Sequence, residues 1–293
     1  MLKASGRRHF AGISLERPRI MGIVNVTPDS FSDGGDAFSV DTAIERGLAL
    51  AEAGADLIDI GGESTRPGAQ PVTTADELAR VVPVIDVLAA RGLRVSVDTR
   101  HPEVMAAALD AGATIVNDIT ALTGDPRSLP LVAARGASVV LMHMQGEPRT
   151  MQVSPTYSDA AADVRTWLRA RLEACLDAGI PHERIALDPG IGFGKSLEHN
   201  LAILSRLSEY RDLGCALLIG VSRKSFIAGL SRDEPPRHRL PGSLAAALSA
   251  VARGAHVLRV HDVAATAQAL NVWNAIASAT ERYNNLEYDH DQV

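Results

Sequence analysis

The stretch Ala53-Gly54-Ala55-Asp56-Leu57-Ile58-Asp59-Ile60-Gly61-Gly62-Glu63 ends a helix, runs through a short apolar strand and releases the chain into a polar turn. Glycine tolerates the left-handed conformation that closes a helix, and the apolar run after it has the length of a buried strand. The same punctuation recurs at Ala111-Gly112-Ala113, Arg135-Gly136-Ala137 and Arg253-Gly254-Ala255, each ahead of another apolar run. Working outward, eight strand candidates begin near Ile20, Leu57, Arg94, Thr114, Ser138, Ile185, Ala216 and Val257. Helical patterns fill the intervals. In one of them Leu78, Val81, Val82, Ile85 and Leu88 form an apolar stripe, with Asp76 and Glu77 near its start, where the helix dipole favours acids. Each interval is long enough for the crossover that parallel neighbours require.

Repeated strand–helix pairs without a Pro- or Ser-rich linker predict an α/β chain folded as a (β/α)8 TIM barrel over residues 20–282. Residues 1–19 are then an N-terminal extension and residues 283–293 a polar C-terminal tail; a doubly wound open sheet is the alternative. The 293 residues are 46% hydrophobic and 22% charged, which suits a globular domain and excludes a chain too polar to fold. A net charge of -6 without long charge blocks argues against general nucleic-acid binding. No apolar run reaches the length of a membrane span, and the N-terminus lacks the apolar segment of a secretory signal. Cys175 and Cys215 are the only cysteines, so reduced buried thiols and a cytoplasmic location are expected.

Barrels of this kind collect their chemistry at the C-terminal ends of the strands. The first strand ends at Asn25, the second runs into Glu63, Thr65 and Arg66, the third into Asp98 and the fourth into Asn117 and Asp118. The fifth gives His143, the sixth Asp188, the seventh Ser222, Arg223 and Lys224, and the eighth Arg259, His261 and Asp262. Taken singly, an Asp after a strand is a cap or turn residue, and Asp118 and Asp262 are expected to be caps. All eight strands ending in polar residues is a different matter. Asp98 and Asp188 follow apolar runs that would half-bury them, so they need partners, which Lys224 and Arg259 supply. Two acids, an amide, a lysine and an arginine also match the donors and acceptors of a polar heterocycle.

The Gly- and Asp-rich loop 27–36, with Phe31, suits a lid over the barrel mouth. Asp188–Ser196 (DPGIGFGKS) fails as a Walker A loop because Pro189 stands where glycine is needed; its glycines are expected to let backbone approach a flat ligand. Phosphate groups in barrels sit near the last two strands, where Ser222-Arg223-Lys224 and Arg259-Val260-His261 offer anion chemistry. A phosphorylated or diphosphorylated substrate follows. His143 and His261 suggest a metal hydrolase, but the first strand lacks the histidines such a zinc site requires. Magnesium, which prefers oxygen ligands shared with substrate phosphates, suits Asn25.

These residues lie in motifs that resemble the dihydropteroate synthase family of pterin-binding barrels, the sulfonamide targets of the folate pathway. The resemblance covers roughly residues 20–276 and rests on NVTPDSFSDGG from Asn25, GESTRPG from Gly62, VDT from Val97, NDI from Asn117, DPGIGFGK from Asp188, SRKS from Ser222, GSLA from Gly242 and RVHD from Arg259. It implies condensation of (7,8-dihydropterin-6-yl)methyl diphosphate with 4-aminobenzoate, with magnesium, in a homodimer. By the same resemblance Asp98, Asn117, Asp188, Phe193, Lys224 and Arg259 bind the pterin. Asn25, Arg259 and His261 take the diphosphate, with Asn25 also at the metal, and Phe31, Thr65, Arg66, Pro67 and Ser222 take the aminobenzoate. Asp98, Lys224, Arg259 and His261 are the implied catalytic set. The alternatives are a pterin-dependent methyltransferase, which would have no use for an anion site, and a paralogue that binds pterin without turnover.

Overall fold

Val, Ile and Leu fill the short strand segments, and the computed structural model pairs all of the long ones in parallel; it describes residues 9–27, 39–64, 72–147 and 150–290. Strands β1 (His9–Phe10) and β2 (Ile13–Ser14) form an antiparallel hairpin. The chain continues through β3 (Arg19–Asn25), α1 (Val40–Glu52), β4 (Leu57–Gly61), α2 (Thr74–Ala90), β5 (Val95–Asp98), α3 (Pro102–Asp110) and β6 (Ile115–Asp118). It then forms α4 (Ser128–Arg135), β7 (Ser138–Met142), α5 (Ala160–Asp177), β8 (Ile185–Asp188), α6 (Leu197–Ser205) and β9 (Ala216–Ile219). The last elements are α7 (Ser225–Gly229), α8 (Leu240–Ala252), β10 (Val257–Val260) and α9 (Val263–His290). Strands β3 to β10 close in sequence order into an eight-stranded barrel, the expected (β/α)8 fold. Each begins at or next to its expected position.

Alternation along the strands decides what faces the barrel axis. Along β4, Ile58 and Ile60 join the core between sheet and helices. Leu57 instead packs inside with Met21, Ile115, Val140, Leu218 and Val257. By the same period of two, Asp59 and Gly61 point inward above Leu57, as do Asp98 above Ser96, Asn117 above Ile115, Asp188 above Ala186 and Arg259 above Val257. Asp118 falls on the outer face. The inside therefore changes from apolar at the N-terminal end to charged at the C-terminal end.

Both ends of the chain pack on or extend from the barrel. Residues 9–14, in the N-terminal extension, form a hairpin separate from the eight-stranded barrel that plugs it: Phe10 is fully buried and, with Ile13, packs against the interior cluster at the bottom. Ala11 and Gly12 make the hairpin turn at positive φ. Strands of two residues are too short for apolar alternation to reveal them. At the other end α9 stays helical through His290, into the residues read as a polar tail. No glycine or proline interrupts residues 263–290, so nothing local ends the helix. Among the described residues no helix is long and apolar enough to cross a membrane.

Candidate active site

Side chains from four strands join in one network around Arg259. Arg259, from β10, donates through Nε to Asp59 Oδ2 of β4 at 2.6 Å and through Nη2 to Asp98 Oδ2 of β5 at 2.6 Å. Asn117, from β6, donates through Nδ2 to the same Asp59 oxygen at 3.0 Å. Closure of the barrel brings these groups together across up to 200 residues of sequence. Burial pushes the Asp98 carboxyl up to about 7, with Arg259 opposing the rise and Asp59 adding to it. Burial also works against the Arg259 charge, but Asp59 and Asp98 outweigh it and hold that charge firmly.

The second half of the cup is built on β8 and the loop that follows. Asp188 is buried and accepts from the Gly190 N–H at 2.8 Å. Burial raises its carboxyl, and the Lys224 ammonium opposes that rise. Lys224 itself reaches in from the turn after β9, donates to the Ile191 carbonyl, and lies 4.5 Å from the centre of the Phe193 ring. Burial brings its amine down to about 8 against the pull of Asp188. One carboxylate, one ammonium and one aromatic face thus line the wall opposite Asp98 and Asn117.

Toward the mouth, Ser222 and His261 form a joined pair between the last two strands. Ser222 Oγ accepts the His261 backbone N–H at 3.2 Å and lies 3.0 Å from His261 Nδ1. His261 stands two residues past Arg259, so it extends the same inward-facing row by one step. Asn25, half-buried at the end of β3, lies beside Gly61 in register, with Asp98 on the next strand. The expected residues Asp98, Asn117, Asp188, Phe193, Lys224, Arg259, Ser222, His261 and Asn25 are therefore gathered at one end of the barrel. Phe31, Thr65, Arg66 and Pro67 lie outside the described residues. The turn before that segment is tied at Glu63, which takes a bidentate pair from Arg100 at 3.0 and 3.2 Å.

Of the two expected caps, one holds and one does not. Asp118 is a cap, accepting from the N–H groups of Thr120 at 2.7 Å and Leu122 at 3.0 Å. The Asp262 carboxylate instead takes the Arg223 fork, at 2.9 and 2.5 Å, because the two side chains leave neighbouring strand ends side by side. Packing also requires the glycines of 188–196: a Cβ on Gly190 would overlap the His143 carbonyl, and one on Gly194 would overlap the Gln145 carbonyl. They let this loop press against the chain leaving β7.

Two contributors escaped the sequence reading. Asp59 sits inside the run Leu57–Ile60, where a single acid reads as noise; its signal is a charge at an inward position of an otherwise apolar strand. Lys195 lies within the DPGIGFGK motif, and only the fold shows what it does. Its buried ammonium donates to His143 Nδ1 at 3.0 Å, to the His143 carbonyl at 3.2 Å and to the Phe193 carbonyl at 2.9 Å, using all three of its protons. Burial brings this amine down to about 7, and burial with the nearby Lys195 charge brings His143 down to about 3.

Fold and site together define a (β/α)8 barrel with a mixed-charge cup at the C-terminal ends of its strands. Residues 21–261 match the family model described as "Pterin binding enzyme". The dihydropteroate synthase of Escherichia coli is 47% identical over 270 residues, covering 92% of this chain and 95% of that one. Among solved structures, Xanthomonas albilineans dihydropteroate synthase with 4-aminobenzoic acid superposes with a TM-score of 0.86 at 52% identity, covering 91% of this chain and 96% of that chain. The same enzyme in complex with 7,8-dihydropteroate gives a TM-score of 0.83 at 49% identity, covering 90% and 95%. The chain belongs to the pterin binding enzyme family, among its dihydropteroate synthases.

Proposed function

We propose that this chain condenses (7,8-dihydropterin-6-yl)methyl diphosphate with 4-aminobenzoate, giving 7,8-dihydropteroate and diphosphate. The observation that carries this reading is the junction of a polar cup, Asp98–Asn117–Asp188–Lys224 around Arg259, with the Ser222–His261 pair at its rim. Asp188 is suited to the 2-amino-pyrimidinone edge, whose N–H groups match a bidentate carboxylate, and Lys224 to the ring carbonyl. Phe193 packs near the ring and Arg259 lies over its face.

The aniline nitrogen of aminobenzoate is neutral near pH 7 and already nucleophilic, so the reaction needs no strong general base. Its lone pair forms the new C–N bond at the pterin methylene as the C–O bond to diphosphate breaks. The bonding electrons leave with the diphosphate, and the extra N–H proton is released to solvent. Arg259 and His261 stabilise the departing anion, and ionised Asp98 stabilises positive charge shared between methylene and ring. Asn25 joins the diphosphate side, and Ser222, with Phe31, Thr65, Arg66 and Pro67, the aminobenzoate side.

Among the described residues no group of three or more His, Cys, Asp or Glu could hold a metal ion. The Asn25 amide oxygen would be the chain's own ligand to a magnesium ion shared with substrate phosphates, and such an ion would supply charge neutralisation at the leaving group. We further propose a homodimer. Its support is an apolar groove of about 580 Å³ between α6, α7 and α8, where Leu201 and Leu230 are exposed beside Phe226 and Ile227. We also propose a cytoplasmic setting, with Cys175 and Cys215 both buried in the core.

The test is an assay of purified chain with magnesium, the pterin diphosphate and 4-aminobenzoate. Diphosphate should be released only when both substrates are present. Pterin binding without release would favour a binding module instead, and methyl transfer without release would favour the methyltransferase reading. Sedimentation velocity checks the dimer.

A further inference from the structure

We propose that Asp59, at the floor of the cup, is a positioning residue that fixes what Asn117 and Arg259 present to a bound pterin, an inference that rests on the functional reading above. Asp59 is fully buried in the middle of β4, and neither the motifs nor the strand-end pattern points to it. A single oxygen, Oδ2, receives both the Asn117 amide at 3.0 Å and Arg259 Nε at 2.6 Å. Ionised, a carboxylate only accepts, so it selects one of the two orientations open to the Asn117 amide: NH2 toward Asp59, and the carbonyl oxygen turned away as an acceptor. A neutral partner able to donate would leave both orientations open.

The same oxygen orients the guanidinium. Arg259 spends its Nε–Nη2 edge on two acids, Asp59 and Asp98, set on adjacent strands at 2.6 Å each. That grip fixes the plane of the fork and directs the Nη1 side away from both acids. Asp59 therefore sets, through two neighbours, an acceptor for the ring and the attitude of the cation beside it. Its second oxygen, Oδ1, is buried and takes no hydrogen bond among the described residues. An open buried acceptor is costly, and a floor serving packing alone would do better with an apolar side chain.

A counter-charge that merely keeps Arg259 folded would predict a different pattern, and kinetics can separate the two. In the full chain, Asp59→Asn should raise KM for the pterin diphosphate by about tenfold or more, the scale of a hydrogen bond lost from a charged group, with little change in KM for 4-aminobenzoate. The acid limb of kcat/KM should also move to lower pH. The charged groups facing Asp98 are Arg259, Asp59, Glu77 and Asp118; removing only the Asp59 charge favours ionisation of Asp98.

The exchange variant Asp59→Asn with Asn117→Asp restores the hydrogen bond with its polarity reversed. It should melt close to wild type and regain part of the pterin affinity, since the carboxylate placed at 117 keeps one accepting oxygen turned toward the ring. Wild-type KM with an unmoved acid limb in Asp59→Asn would overturn the proposal. So would equal loss for both substrates without a pH shift, an exchange variant whose pterin affinity is no better than that of Asp59→Asn, or loss of its fold. A wild-type chain that neither binds pterin nor turns over would sink the functional reading along with this one; normal wild-type turnover with an indistinguishable Asp59→Asn sinks this one alone.

Discussion

At the scale of single residues, burial sets opposite demands on the two ends of the cup. The Asp98 carboxyl is pushed up to about 7, so it takes a proton as pH falls through neutrality and loses its charge-assisted bond with Arg259. The Lys224 amine is brought down to about 8, so it loses its proton as pH rises past that point. With ionised Asp98 and protonated Lys224 both required, kcat/KM should follow a narrow bell, rising through about 7 and falling through about 8. Asp98→Asn should abolish the acid limb as well as lower the rate, which a pH–rate series would reveal. Asp188→Asn should weaken pterin binding by roughly 1.5 to 3 kcal/mol, the value of a charge-assisted hydrogen bond, with the fold retained; wild-type affinity by calorimetric titration would contradict the assignment. Asp98, Asn117, Asp188, Lys224 and Arg259 were legible because chemically conspicuous side chains follow apolar runs. Asp59 was not, since its importance depends on which way β4 faces and on what the other strands bring to it.

At the scale of elements, the loop from Asp188 to Ser196 is held by contacts from outside its own sequence. Lys195 pins it to His143, Gln152 donates to the Gly192 carbonyl at 2.7 Å, and the Tyr157 hydroxyl donates to the Gly194 carbonyl at 2.8 Å. Gly190 has φ +68° and no room for a Cβ against the His143 carbonyl. Gly190→Ala should therefore destabilise the protein by at least about 2 kcal/mol and displace Phe193 and the Ile191 carbonyl from the Lys224 wall. Urea denaturation and pterin titration of the same variant measure the two effects. The glycine spacing announced a special loop. Its purpose could not be read locally, because the backbone it crowds belongs to residues about fifty positions earlier.

At the scale of the whole molecule, the barrel is sealed at one end and chemically furnished at the other. Phe10 seals the bottom, so Phe10→Ala should cost about 3 to 5 kcal/mol, the range for deleting a buried aromatic ring, while pterin affinity of the folded fraction stays near wild type. A lowered denaturation midpoint with an altered pterin affinity would mean that the hairpin reaches the cup by a route the packing does not suggest. The order and spacing of strands and helices, and the polar residue types at the strand ends, were determined by sequence alone, since apolar periodicity and glycine caps act over a few neighbouring residues. Tertiary structure alone decided the hairpin plug, the inward charge of Asp59, the Lys195 clamp and the pairing of Asp262 with Arg223. Each depends on groups brought side by side only when β10 pairs with β3, or when distant loops meet, and no local pattern in a chain encodes that adjacency.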